Sequence, residues 1–365
     1  MKIIVSAGGT GGHIYPALAI INKFKEKEKD LEVLYIGTHN RMEKEIIPKR
    51  GFKYEELEIY GFSKRDLLLD IKNVFLIQKA KKKCEKIMKE FKPDLVLGIG
   101  GYVTYPVICA AHKLGIKTFI HEQNSLPGKT NMTLQSKADL IGVSFKESQK
   151  KFKKAKGKVF YSGNPCGENA LSLQPMNKES LGLNKNKKLV VIVAGSLGSA
   201  SVNEKMKSFL NNAQKSEYEV LYITGKSLYD DFIKDEKFPD NVKVLPYLDN
   251  LPALLKNTDL IVTRAGASTM SEILSLNLPA IFIPSPYVAN NHQYFNAMEI
   301  KNNGGGEVIE EKDLTPELLS NKINEVLTNS EHYSNMKKNL KKMSMNNSSE
   351  LIYSELKDLI KWMKH

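Results

Sequence analysis

Three glycine-rich runs stand where a β-branched stretch gives way to an amphipathic one: Gly8-Gly9-Thr10-Gly11-Gly12-His13, Gly100-Gly101-Tyr102-Val103 and Gly195-Ser196-Leu197-Gly198. Glycine lets backbone amides approach an oxyanion with no Cβ in the way, and a helix starting there points its positive end at the ligand. Any one such turn is ordinary strand-to-helix chemistry. Three of them, drawn from both halves of the chain, point to phosphate binding. The run Gly-x-Gly-x-x-Gly of dinucleotide sites cannot be read here with its offsets, and no Walker lysine follows. His13 adds a group that titrates near neutrality, which suits either the base of a transfer reaction or a contact to a second substrate.

Asp-x-Asp does not occur, so the usual carboxylate pair that holds a divalent metal against a nucleotide diphosphate is missing, and no metal or other cofactor is expected. Diphosphate charge falls instead to helix N-termini, backbone amides and Arg264. Arg264 precedes Ala265-Gly266-Ala267-Ser268-Thr269, the start of a helix that carries Glu272. A carboxylate at that place accepts both hydroxyls of a ribose diol, or it simply complements the helix dipole. His121-Glu122-Gln123-Asn124 closes a strand, where a polar run is expected to face a cleft. Asn290-Asn291-His292-Gln293 opens a helix after Pro284-Ser285-Pro286; its amides suit sugar hydroxyls or cap the helix. Cys84, Cys109 and Cys166 follow neither disulfide nor metal spacing and are expected as reduced thiols.

These residues need a scaffold, and the hydrophobic pattern supplies one. Short strands alternate with helices from end to end, and that alternation means parallel sheets covered on both faces. Strands are expected at 2–7, 32–36, 94–99, 117–121, 139–143 and 158–161, then at 188–194, 219–224, 242–245, 259–263, 279–283 and 307–309. The strand, glycine turn and helix that open the chain recur after residue 188, so two Rossmann-like, doubly wound domains are expected to face a central cleft. The first spans 1–163 and is joined by the C-terminal helix 351–363. The second spans 164–345, after the Gly163-Asn164-Pro165 turn.

Of the 365 residues, 54 are Lys or Arg and 41 Asp or Glu, a net charge of +13. Residues 1–164 hold 31 basic against 17 acidic side chains, and the remainder 23 against 24. The basic excess lies wholly in the first half, which implies an anionic partner there. No apolar run approaches the roughly 18 residues of a membrane span, and Met1–Ala7 passes into glycines without the core of a secretion signal. A nucleic-acid partner is not expected, because stacking aromatics, a helix-turn-helix pattern and zinc spacing are all lacking.

Taken in order, these motifs resemble the MurG family, the peptidoglycan N-acetylglucosaminyltransferases of glycosyltransferase family 28. The resemblance begins at Ala7–Ala17 and runs through Gly100–Val103, His121–Asn124, Gly163–Pro165 and Gly195–Gly198. It ends with Arg264–Glu272 and His292–Ala297. It implies the GT-B fold and an inverting, metal-independent transfer of N-acetylglucosamine from UDP-N-acetylglucosamine to undecaprenyl-linked lipid I, giving lipid II. By the same resemblance the uracil meets backbone near Leu248, the ribose Glu272, and the diphosphate Ser196 and the Ser268-Thr269 helix start. Gln293 and Asn124 read the sugar, and Thr10, Gly11, Gly12 and His13 hold the acceptor. The partners implied are the two substrates and the anionic cytoplasmic face of the cell membrane, where the protein is peripheral. The chain departs from the family at Gly167, where an arginine is common, and at His292, where some members carry glutamine. The rival enzyme reading is another UDP-sugar enzyme of this fold, a glycolipid synthase or an N-acetylglucosamine 2-epimerase.

Overall fold

The structure, a computed structural model, describes residues 1–62, 67–195 and 198–361, without the side chains of 67–69 and 215. The chain divides into two compact units, residues 1–166 with 347–365 and residues 167–346.

The first unit runs β1 (Lys2–Ala7), α1 (Gly11–Lys27), β2 (Glu32–Thr38), α2 (Glu43–Lys49) and β3 (Lys53–Leu57). It continues with α3 (Leu67–Phe91), β4 (Leu95–Gly100), α4 (Thr104–Lys113), β5 (Lys117–Glu122), α5 (Lys129–Leu134), β6 (Leu140–Val143) and β7 (Lys158–Tyr161). All seven strands are parallel, in the order β3-β2-β1-β4-β5-β6-β7. The strands are buried on both faces, as β1 (Ile3, Ile4, Val5) and β4 (Leu95, Val96, Leu97) illustrate. That is why they read as continuous apolar runs. The strand at β3 escapes sequence reading because it is an edge strand whose Lys53, Glu55 and Glu56 keep the edge charged.

The second unit begins within α6 (Cys166–Ser172) and continues through β8 (Leu189–Val193), α7 (Ala200–Asn211), β9 (Glu219–Ile223), α8 (Tyr229–Ile233) and β10 (Val242–Leu245). Then come α9 (Leu251–Leu255), β11 (Leu260–Thr263), α10 (Ala267–Leu276), β12 (Ala280–Phe282), α11 (His292–Asn302) and β13 (Gly306–Val308). Helices α12 (Pro316–Thr328) and α13 (Ser330–Met343) complete it. Its six parallel strands are ordered β10-β9-β8-β11-β12-β13. Two of its helices start on sequence signals: Thr315 accepts from the Leu318 amide before Pro316, and Asn329 accepts from the His332 amide.

The last helix, α14 (Ser348–Lys361), returns to the first unit and packs on α1. Ile352 and Leu356 are fully buried in the cluster that holds Ile20, Ile21 and Phe24. Phe24 meets Tyr353 edge to face at 5.0 Å. Glu28 at the end of α1 accepts from Lys357 and Tyr353, each at 2.6 Å, and those bonds hold its carboxyl below the usual range. A chain end fastened by core contacts is a working part of the fold. Leu356→Ala is therefore expected to cost about 2–4 kcal/mol in urea unfolding; a loss within experimental error would mean that α14 is dispensable.

Candidate active site

In each sheet the strand order reverses once, between β1 and β4 in the first unit and between β8 and β11 in the second. Helices leave neighbouring strands toward opposite faces at such a switch point, and the crevice this opens at the carboxyl ends of the strands is where ligands bind. All three glycine turns follow the strands that flank these two points.

In the first unit the two turns touch. The Gly8 amide donates to the Gly100 carbonyl at 3.1 Å. A Cβ on Gly101, which has φ +86°, would overlap the Gly8 carbonyl oxygen, so only glycine fits. Thr10 is the residue before α1; its hydroxyl makes no capping bond and is exposed, while Gly11, Gly12 and His13 form the first turn of the helix. The Nδ1 of His13 lies 2.9 Å from the Gly8 carbonyl oxygen. A carbonyl only accepts, so Nδ1 carries the proton, and in the neutral ring the lone pair belongs to Nε2.

The polar run at the end of β5 differs from expectation. His121, Glu122 and Gln123 are buried rather than presented to a cleft. Gln123 donates to the Ile99 carbonyl at 2.6 Å and to His121 Nδ1 at 2.9 Å, and His121 Nε2 donates to the Gly163 carbonyl at 3.0 Å. Burial pushes the His121 pKa down to about 4, with the Gly163 bond pulling the other way, so the ring is neutral at physiological pH. Glu122 accepts from the amides of Asn124 and Gly128 and from the side chains of Asn124 and Asn131, at 2.9–3.2 Å. The run is thus a brace for the loop that carries half-buried Asn124 at the strand's carboxyl end.

In the second unit Ser268 and Thr269 form the first turn of α10, whose leading residue Gly266 brings no capping side chain. A Cβ at Gly266 would meet nothing within 4 Å, so space lies in front of the helix start. The Ser268 hydroxyl is buried without a hydrogen-bond partner among the described residues. One turn further, Glu272 is half-buried and makes no hydrogen bond or ion pair among the described residues. Burial pushes its pKa up to about 7. Gln293, in the first turn of α11, accepts from the Ser285 amide at 2.9 Å, which turns its NH2 group away from that loop. Neither Asn290 nor Asn291 caps α11; both have left-handed φ, +54° and +50°. Leu248 follows β10 and is half-buried. Ser196 lies outside the described residues.

Sequence reasoning gave Arg264 to a diphosphate; in the structure its guanidinium has partners within the protein. The guanidinium is buried: Nη2 pairs with Glu311 at 2.6 Å and donates to the Ser199 hydroxyl at 2.9 Å, while Nη1 donates to the Ile283 carbonyl at 3.0 Å. Burial pushes the Glu311 carboxyl up, but its bonds to Ser201 and Arg264 outweigh that and hold it below the usual range. Arg264 thereby fastens the turn after β8 to β11 and β12. At Gly167 a side chain would run into Ser275 and stand 2.6 Å from the Ser271 carbonyl oxygen, so α6 lies too close to α10 for an arginine. Sequence reasoning also missed Glu311, far from Arg264 in the chain, and Glu43, which the first glycine turn is built around. It missed Lys226 as well, whose ammonium stands 4.5 Å over the Tyr247 ring beside Leu248. Among the described residues no group of three or more His, Cys, Asp or Glu is placed to hold a metal ion.

Glu272 makes a stability prediction with a definite sign. Its folded pKa of about 7 lies above the ordinary 4.5, so the folded state binds the proton more tightly than the unfolded one. The ligand-free protein therefore loses stability as pH rises between these values, and Glu272→Gln escapes that loss. The variant is expected to match wild type at pH 4 and to exceed it by about 1–3 kcal/mol at pH 8 in urea unfolding. A difference that does not change with pH would show that Glu272 ionises like an exposed carboxyl.

The chain has relatives with which this geometry can be compared. Residues 3–143 match the glycosyltransferase family 28 N-terminal domain and residues 189–352 the glycosyltransferase family 28 C-terminal domain. A protein of Bacillus cytotoxicus is 40% identical over 99% of this chain and 100% of its own length. One of Halalkalibacterium halodurans is 41% identical over the same shares. Both are named UDP-N-acetylglucosamine--N-acetylmuramyl-(pentapeptide) pyrophosphoryl-undecaprenol N-acetylglucosamine transferase. The crystal structure of Acinetobacter baumannii MurG superposes with a TM-score of 0.79 at 26% identity, covering 99% of each chain. Two switch-point sites on tandem parallel sheets, matched domain by domain and along the full length, place the chain in glycosyltransferase family 28, among the MurG proteins.

Proposed function

We propose that this protein transfers N-acetylglucosamine from UDP-N-acetylglucosamine to the 4-hydroxyl of the muramyl sugar of lipid I, giving lipid II and UDP. The observation that carries the reading is the full-length identity of about 40% to transferases of that name. It is supported by Glu272, unpaired among the described residues, one turn into a helix whose N-terminus opens on empty space. On this reading the ribose diol donates to the two Glu272 oxygens and supplies the partners the carboxylate lacks. The diphosphate meets the α10 N-terminus at Ser268 and Thr269, together with Ser196. The uracil meets backbone at Leu248, and Gln293 and Asn124 read the sugar. Thr10, Gly11 and Gly12 hold the acceptor.

The reaction is a single displacement. The bond from the acceptor O4 to the anomeric carbon forms as the bond from that carbon to the β-phosphate oxygen breaks, so configuration inverts. UDP leaves with the electron pair, and the hydroxyl proton passes to His13 Nε2, the nitrogen that holds the lone pair. Helix and backbone amides carry the charge on the diphosphate, so no metal is invoked.

Membrane docking is proposed for α3. Ile71, Val74 and Phe75 are 51%, 49% and 73% exposed, while Leu76 and Ile77 pack against the core. Asn73 grips both backbone groups of Tyr60, and Phe62, two residues further along the chain, is exposed. Lys64, Arg65 and the side chains of Leu67, Leu68 and Leu69 lie outside the described residues. Lys72, Lys79 and Lys82 make no ion pair among the described residues, whereas Lys83 pairs with Glu55 at 3.0 Å and Lys81 lies over the Tyr105 ring. Among the described residues no helix is long and apolar enough to cross a membrane.

Labelled UDP-N-acetylglucosamine is expected to pass its sugar to a short-chain lipid I analogue, with a rate that EDTA leaves unchanged. Glu272→Ala is expected to weaken UDP binding by about 1.5–3 kcal/mol. Epimerised or free sugar with no transfer would overturn the reading. Binding to anionic vesicles is expected to weaken with salt and to fall several-fold in a Phe75→Ser, Lys72→Glu, Lys79→Glu variant that keeps its UDP affinity. Unchanged vesicle binding at low salt would remove α3 as the docking surface.

A further inference from the structure

The first glycine turn is built around a buried carboxylate that forms no ion pair among the described residues. Glu43, the first residue of α2, is fully buried. Its Oε2 accepts from the Gly9 amide at 3.1 Å, and its Oε1 from the Thr38 amide at 3.1 Å and the Thr38 hydroxyl at 2.6 Å. Among the described residues it forms no ion pair. The backbone makes room for it: a Cβ on Gly8 would overlap Oε1, and one on Gly37 would stand 2.7 Å from the Glu43 Cγ. Burying an ionised carboxyl is costly unless hydrogen bonds replace its water. Tying one loop to one strand does not by itself require a charge.

The far side of the same peptide group gives the charge a use. The Gly9 N–H that faces Glu43 and the Gly8 carbonyl that accepts from His13 Nδ1 at 2.9 Å are the two ends of one planar amide. An anionic acceptor at the N–H end drives electron density toward the carbonyl oxygen, since hydrogen bonds in a chain polarise one another. A stronger carbonyl acceptor holds the imidazole in one orientation, keeps the proton on Nδ1 and favours the charged ring. We propose that Glu43 is a positioning residue for His13, acting through the Gly8–Gly9 peptide group. It makes Nε2 the proton-accepting nitrogen and raises its basicity. The arrangement is that of a carboxylate orienting a histidine, with one peptide group interposed. It rests on the reading that His13 takes the acceptor proton.

Two phenols, Tyr35 and Tyr54, feel the Glu43 charge. Tyr35 donates to the Ala7 carbonyl at 3.0 Å and Tyr54 to the Thr38 carbonyl at 2.6 Å. Burial first, and the Glu43 charge second, push both above their usual range, so neither titrates near neutrality.

The test uses the full-length chain with 15N-labelled histidine and glycine. In wild type above the His13 pKa, long-range proton–nitrogen spectra are expected to show the ring protonated at Nδ1, with the Gly9 amide proton far downfield. In Glu43→Gln the Gly9 proton moves upfield and the ring becomes a tautomer mixture. The turnover number kcat falls about tenfold and the acid limb of its pH profile moves down by about half a unit. The KM for UDP-N-acetylglucosamine stays within about twofold. In a His13→Ala background Glu43→Gln causes no further loss, because the two residues act as one unit. Wild-type His13 protonated at Nε2 would overturn the proposal, and this measurement decides the matter even if the variant does not fold. A folded Glu43→Gln protein with unchanged tautomer, pH profile and kcat would overturn it equally. Absence of transfer by wild type would instead sink the enzymatic reading and leave the imidazole spectrum to judge the relay.

Discussion

The Gly8 amide donates to the Gly100 carbonyl across the gap between β1 and β4, and much of the first unit's chemistry hangs on that one bond. Parallel strands deliver their crossovers to alternate faces only where the order reverses, so two chain segments must turn side by side at that point with no helix to fill the space between them. The segments can approach to hydrogen-bonding distance only if the inner positions carry no side chain, which is why Gly8 and Gly101 face each other. Once the turns are locked together, the α1 N-terminus is fixed in direction and His13 has a defined carbonyl to bind. The second unit meets the same constraint with different chemistry. There Arg264, at the end of β11, reaches across the switch point to Ser199 on the β8 turn and takes its charge balance from Glu311.

The two units thus fasten their glycine turns with buried charges of opposite sign, and the surroundings of each follow from its chemistry. A guanidinium has five donors in a fixed fork and needs acceptors on several sides, so Arg264 is ringed by a carbonyl, a hydroxyl and a carboxylate. A carboxylate only accepts, so Glu43 is ringed by two amides and a hydroxyl. Glu122 solves the same problem with two amides and two asparagine side chains. In these three cases the protein supplies what water would have supplied, and the groups are rigid before any ligand arrives.

This explains what was legible in the sequence. The sheets were, because strands buried on both faces must be apolar along their whole length, and because glycine and a following helix punctuate each carboxyl end. The charged edge strand β3 was not, since Lys53, Glu55 and Glu56 leave it no apolar run. At the site, the residues in the loops announced themselves by type. Their supports did not: Glu311 is remote from Arg264 in the chain, and Glu43 sits in a stretch of alternating charges, Arg41 to Lys44, that reads as solvated surface. The polar run His121–Gln123 misled in the opposite direction. A buried network and a ligand-facing one have the same composition, and only the partners tell them apart.

Glu272 is the exception to this rule of prior satisfaction, and the contrast bears on how ligand energy is used. Glu43 is completed by its own chain, so the first glycine turn gains little order from a ligand. Glu272 is half-buried without donors among the described residues, and burial holds its pKa near 7. At neutral pH the second unit therefore keeps an unfavourable group in place, which weakens its stability by linkage. A diol bound there relieves that cost, favours the ionised form and stabilises the fold in the same step. On the proposed function the first unit is accordingly organised before binding, while the second gains part of its stability from the nucleotide. On the same proposed function that asymmetry suits a protein whose proton acceptor must be aimed in advance, whereas its nucleotide must be held and then released at every turnover.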